Sequence, residues 1–280
     1  MSKKLTQRTG IVTHVTLRTY PLGKIWGGPL IYTNDQRDAV MGALHSYQKT
    51  GQLDTNSAVL PYFFINNNTI LLTLVYLHET TNRPAAFKPF YDIPMVADLT
   101  KTYDKFSDLI RPPVDLVVPR WTLGVTTILQ HEAAYLEVAR ICQNATKELE
   151  TVQGGTFGLF PQPVSKQMII ESRKRGDNPM AKHLYDGPQM WFSVVLGWTF
   201  ERDDKRVGNL LSNTLAKIEG FTKERRVYHP FVFANDAFER QRVYESYGDE
   251  VFARIKKARR EIDPSGFFQK NVPGGFKIGR

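Results

Sequence analysis

Hydrophobic residues follow two repeating patterns along this chain. In "QMWFSVVLGWTF" (residues 189–200) they alternate. Met190, Phe192, Val194, Leu196, Trp198 and Phe200 share one side of a strand, and Trp191, Ser193, Val195, Gly197 and Thr199 share the other. The first side is apolar throughout and is expected to pack on helices. The second is mixed, so Trp191, Ser193, Val195 and Thr199 are the candidates to line a pocket. "RTGIVTHVTLRTYP" (8–21) also alternates and predicts a strand ended by Pro21. "GKIWGGPLIYT" (23–33) predicts a second strand. "AVLPYFFI" (58–65) and "TILLTLVYL" (69–77) flank an Asn-rich turn and predict a β-hairpin. "FGLFPQPV" (157–164) and "YHPFVFAND" (228–236) read as strands, whereas "VDLVVPRWTLGVTTIL" (114–129) has no clear period.

Helical spacing marks the segments between. In "NDQRDAVMGALHSYQKTG" (34–51) Val40, Met41, Leu44 and Tyr47 recur on one face, with Asn34 or Asp35 placed to cap the start and Gly51 just past the end. Residues 130–150 put Tyr135, Val138, Cys142, Ala145 and Leu149 on one side, which makes Cys142 a core thiol. "RPAAFKPFYDIP" predicts a short helix between prolines. "DDKRVGNLLSNTLAKIEG" predicts a helix stopped by Gly220, and "DEVFARIKKARREIDP" one stopped by Pro264, with Val251, Phe252, Ile255, Ala258 and Ile262 inward. Hairpins and long strands alternate with helices, without a regular βαβα beat. The expected class is therefore α+β, an antiparallel β-sheet covered by helices on one face.

Composition adds limits rather than a function. The chain has 280 residues, long enough for one large or two ordinary domains. It has no apolar run long enough to cross a membrane as a helix. The start, "MSKKLTQRTG", is basic but has no apolar stretch behind it, which argues against a secretory signal in the chain as given and for a cytoplasmic one. Its one cysteine excludes an internal disulfide and a Cys-based metal cluster. A net charge of +9 raises the question of an acidic partner, but the basic residues are scattered. The densest cluster, Arg254 to Glu261, fits the solvated side of an amphipathic helix, so no nucleic acid and no membrane are expected as partners.

The common catalytic motifs are missing. There is no GxGxxG, no Walker loop and no nucleophile elbow. "QGGTFG" precedes a strand and reads as a turn. "HEAAY" at His131 and "HETTN" at His78 begin like zinc-protease motifs, but both lack the second His, so no metal site is expected.

Several ordered blocks resemble the FAD-linked oxidases of the berberine-bridge and vanillyl-alcohol-oxidase type, especially fungal members. "GIVTHVTLRTYPLGKIWGG" (10–28) is similar to the stretch of form N-F-G-I-V-T that closes their FAD-binding domain. "KPFYDIP" (88–94) is similar to an F-x-x-I-P segment, and "RGDNPM" with "DGPQMWFSVVLGWTF" to a turn and the sheet strand after it. "FVFANDAFERQRVYESYG" (231–248) and "DPSGFFQKNVPGGFKI" (263–278) are similar to the C-terminal return to the FAD domain, where Y-x-N-Y and S-Y-G are followed by D-P-x-x-x-F-Q and G-G-F-K.

The resemblance implies a division into 1–22, a remnant of the FAD-binding domain end, 23–225, a substrate-binding domain, and 226–280, a segment returning to the FAD domain. It implies FAD as cofactor and oxidation of a small organic substrate, in secondary metabolism. It also implies that the half carrying the flavin cradle is missing from this chain, so that FAD binding by the chain alone is in question and another chain could cover the exposed face. At the Y-x-N-Y position stand Phe233, Ala234, Asn235 and Asp236. By the resemblance Asp236 takes the place of the catalytic base, or else caps the next turn. Phe233 and Asn235 fall on the flavin side, and Gly10, Ile11 and Val12 at backbone positions near the adenine. A flavin-free descendant that binds a small hydrophobic molecule, or guides a cyclisation or isomerisation, is the alternative.

Overall fold

The computed structural model describes residues 13, 14, 16, 17, 19–80, 82–110, 118–174 and 187–278. The strands are β1 (Ile25–Tyr32), β2 (Ser57–Phe64), β3 (Thr69–Tyr76), β4 (Ala97–Asp98), β5 (Lys101–Tyr103), β6 (Arg120–Leu129), β7 (Thr156–Val164), β8 (Gln189–Trp198) and β9 (Tyr228–His229). They form a single antiparallel sheet in the order β4-β1-β3-β2-β7-β8-β6-β9, with β5 also on β1. The helices are α1 (Arg37–Lys49), α2 (Lys88–Tyr91), α3 (Phe106–Leu109), α4 (Glu132–Ala145), α5 (Lys166–Lys174), α6 (Asp204–Glu224), α7 (Asp249–Ile262) and α8 (Phe267–Lys270). The class is α+β, as the alternation of patterns predicts.

The main core lies between one sheet face and α1, α4 and α6. It joins Val40, Met41 and Leu44 of α1, Tyr135, Val138 and Cys142 of α4 and Leu211 and Ile218 of α6 to Met190, Phe192, Val194, Leu196 and Trp198 of β8. Burial in this apolar layer raises the Cys142 thiol far above its ordinary value, so it stays protonated. Gly124 lets α6 sit close to β6, since a Cβ there would lie 2.6 Å from Leu215 Cδ1.

The sheet has a seam. β2 and β7 pair only at Phe63–Leu159 and Phe64–Gly158. Further along β7, Pro161 and Pro163 have no N–H to donate, so the ladder cannot continue toward β2. Asn66 bridges the seam at its closed end, donating to Gly155 O at 2.7 Å and accepting from Phe157 N at 3.0 Å.

Several boundaries differ from the sequence reading. Residues 8–12, 15 and 18 of the first expected strand lie outside the described residues, and 13, 14, 16, 17 and 19–21 are not strand. The 114–129 stretch contains the long strand β6. The strand expected over 228–236 shortens to Tyr228–His229. Gly220 does not stop α6, which runs to Glu224, because the packed face outweighs one poor helix former on the exposed face. Neither Asn34 nor Asp35 caps α1 with its side chain. His131, the start of the rejected zinc motif, is the N-cap of α4, its Nδ1 accepting from Ala134 N at 3.2 Å. In α7 Val251 and Ile255 are buried, whereas Ile262 is exposed.

Candidate active site

The sheet face opposite the main helices is covered at its two ends. At the β1 end Leu109 packs on Ile25 and Val75. At the other end residues from 231 onward form a second core, in which Phe231, Val243, Tyr247, Val251 and Ile255 meet Val125, Val164 and Trp191. Between these lids lies an open strip. The strand registers place Leu60, Tyr62, Phe64, Phe160, Gln162 and Ser193 along it. The rings of Tyr62 and Phe64 stack at 6.4 Å, and Phe160 meets them edge-on at 5.1 and 5.8 Å. These rings line the seam that the β7 prolines open. Burial among them raises the Tyr62 hydroxyl above its ordinary value, which keeps it a neutral donor.

Asp236 is delivered to this strip by a short, well-anchored path. Phe231 and Phe233 alternate toward Trp191, whose ring they meet at 5.3 and 4.5 Å. A turn then closes with Asp236 N donating to Phe233 O at 3.1 Å. The carboxylate bends back onto the sheet. Its Oδ2 accepts from Ser193 Oγ at 2.5 Å and from Gln162 Nε2 at 2.5 Å, and Gln162 Nε2 also reaches Ser193 Oγ at 3.0 Å. Ser193 itself is buried, so the cluster rests on rigid sheet. The Asp236 side chain is therefore not a turn cap. One oxygen, Oδ2, is held by two neutral donors from neighbouring strands.

The expected site residues are thus distributed unequally. Asp236 and Ser193 touch. Val195 is buried next along the same face, beside Leu123 in the β6 register. Trp191 lies in the second core, as the platform for Phe233 rather than an open wall. Thr199 sits one residue past β8, packed beside Gly154. Asn235 is exposed at the tip of the turn. Gly10, Ile11 and Val12 lie outside the described residues. Gln162 and the three rings were not foreseen, although each falls on the mixed face that the β8 alternation marks. Beside Ala237 a groove of about 560 Å³ runs along the outer edge of β6, lined by Trp121, Leu123, Phe238 and Arg240 among others.

The berberine bridge enzyme of Eschscholzia californica superposes with a TM-score of 0.61 at 14% identity, over 92% of this chain and 56% of that one. A xylooligosaccharide oxidase of Myceliophthora thermophila gives 0.64 at 11% identity, over 92% and 56%. The chain carries this part of the berberine-bridge-type oxidase fold. In sequence, the bifunctional solanapyrone synthase of Alternaria solani is 42% identical over 269 residues, 96% of this chain and 52% of its own length. An FAD-dependent monooxygenase of Arthrobotrys oligospora is 29% identical over 274 residues, 95% of this chain and 52% of its length. The chain spans about half the length of these curated relatives. No family model matches it. Among the described residues no helix is long and apolar enough to cross a membrane, and no cluster of His, Cys, Asp and Glu could hold a metal ion.

Proposed function

We propose that this chain supplies the substrate-facing side of an FAD-dependent oxidoreductase acting on a small organic molecule in fungal secondary metabolism. The observation that carries the reading is the Asp236–Ser193–Gln162 cluster, held on an open apolar strip between the Leu109 cluster and the second core. Support comes from the fold shared with flavin oxidases and from relatives whose names specify FAD.

The residues fit such a cofactor. A flat ring system needs an apolar surface with polar groups at its rim. Tyr62, Phe64 and Phe160 form the surface, half-buried and in mutual ring contact, and Asn235 stands exposed. Phe233 and Asn235, together with Gly10, Ile11 and Val12, are the residues proposed to face FAD. When bound, FAD supplies the hydride acceptor. Asp236 takes the proton released from the substrate. The Ser193 and Gln162 side chains orient the carboxylate. Residues 23–225 form the substrate domain in this reading, with 226–280 as the strap that brings the base.

The test is FAD addition to the purified protein, followed by anaerobic mixing with a panel of apolar alcohols. With the flavin-binding half of a relative supplied alongside, visible flavin absorbance is expected to be retained and to bleach with a turned-over alcohol. Asp236→Asn should slow bleaching by roughly 10²–10⁴-fold, the usual contribution of a general base, while retaining flavin. Bleaching at an unaltered rate in that variant removes Asp236 from the reaction. A second reading, proton-transfer or binding chemistry without flavin, draws on the fact that the whole carboxylate cluster comes from this one chain. Apolar compounds that raise the melting temperature, with no retention of FAD, would favour it.

A further inference from the structure

We propose that Gln241 is a positioning residue for Asp236, clamping the loop that carries it to the strand pair beneath. The inference rests on the reading of Asp236 as proton acceptor. β9 covers the outer edge of β6 only at Thr127 and Ile128. At Val125 the Gln241 side chain takes the place of a neighbouring strand. Its Nε2 donates to Val125 O at 2.7 Å, and its Oε1 accepts from Val125 N at 3.1 Å. The same Oε1 accepts from Phe238 N at 2.9 Å, drawing the middle of the loop onto the clamp.

The place of the clamp gives it significance. Val125 is the cross-strand partner of Ser193, the residue that donates to Asp236. Segment 236–241 is therefore fastened at both ends to one strand pair, Asp236 to Ser193 and Gln241 to Val125. Directly opposed residues in a ladder keep a fixed separation. A loop tied to both holds the carboxylate in register with its donors, although Gln241 does not touch the carboxylate. The loop has another anchor, Arg240, which donates to Asn209 Oδ1 at 3.0 Å and Ser212 Oγ at 3.3 Å on α6. That anchor fastens the loop to the helix layer, not to the Ser193 pair, and so serves as the control.

The experiment follows the side-chain carboxyl carbon of Asp236 by NMR in aspartate-labelled protein, with the signal assigned by its loss in Asp236→Asn. Hydrogen exchange over 233–241 is measured alongside. Gln241→Leu should speed exchange by at least about tenfold, as removal of three hydrogen bonds implies. It should also move the Asp236 signal toward its position in Ser193→Ala. Arg240→Ala should leave that signal in place even where exchange rises. Gln241→Asn, which withdraws the amide by one methylene, should give the same displacement and serves if the leucine variant does not fold. A clamp variant with faster exchange but an unmoved Asp236 signal overturns the proposal, since Gln241 is then a loop anchor only. A moved signal, with an Asp236→Asn variant that bleaches flavin at the unaltered rate, sinks the proton-acceptor reading and leaves the clamp intact.

Discussion

The company a carboxylate keeps separates structure from chemistry at the scale of single residues. Asp204 is bound by both Arg120 and Trp198, and its partners hold it below the usual carboxylate range. Asp98 is tied to Arg83, to Thr100 N at 3.0 Å and to Thr100 Oγ1 at 2.6 Å. Burial pushes Asp98 up, but these donors outweigh it and hold the carboxyl below its ordinary value. The side-chain donors to Asp236 among the described residues, Ser193 and Gln162, are both neutral. The depressed Asp98 has a pH signature. Its unfolded carboxyl titrates near about 3.9, so its stabilisation is complete above that pH and is lost as pH falls through the lower folded value. Asp98→Asn should therefore destabilise by roughly 1 kcal/mol at pH 7, and the penalty should shrink below about pH 4. Melting temperatures of both proteins at pH 7 and pH 3 check this, and an equal difference at the two values refutes it. The sequence singles out Asp236 by the resemblance and Ser193 by strand alternation, and the structure brings the two together. It marks neither Gln162 nor Gln241. A glutamine has no periodic signature, and the contacts that matter span 31 and 116 residues of chain.

At the scale of elements, the legible parts were those with a single packed face. Helices α1, α4 and α6 and strand β2 bury one side against the core and leave the other more open, so their spacing survives in the sequence. β6 was obscure because both of its faces are occupied, with Ile128 in the main core and Val125 in the second. Residues 230–236 looked like a strand because Phe231 and Phe233 both pack on Trp191, and an extended segment on a sheet face has a strand's alternation without its ladder. Close approach of strands leaves another mark. A Cβ at Gly27 would lie 2.1 Å from Leu74 O and 2.9 Å from Leu109 Cδ1, within the β1–β3 ladder. Gly27→Ala must push β1 from β3 or displace α3. It is expected to be among the most damaging single changes, above about 3 kcal/mol, because the clash is with backbone that the register fixes. Denaturant titration measures it. A near-neutral result would mean that the strands can part there.

For the molecule as a whole, the sheet divides two cores of unequal depth. The core under α1, α4 and α6 draws residues from every long strand, whereas the second is built by residues 231–278 folding back over a small part of the opposite face. The proposed base belongs to the second, its donors to the strands between. This arrangement makes the site depend on the weaker partner of a two-core fold. Trp191 is where the two meet, since its strand carries the main core on one face while its own ring carries Phe231 and Phe233 on the other. Trp191→Ala removes that platform, a change of the kind that costs about 3–5 kcal/mol in a packed core. The loss falls on one side of the sheet, so unfolding should become uneven. Hydrogen exchange should accelerate strongly over 231–278 and little over the α4 residues Tyr135 to Cys142. Ligand binding and flavin bleaching should fail at denaturant concentrations where far-ultraviolet circular dichroism still reports most of the helix. Uniform acceleration across both regions would show instead that the cores unfold together and that the strap is no looser than the body it closes.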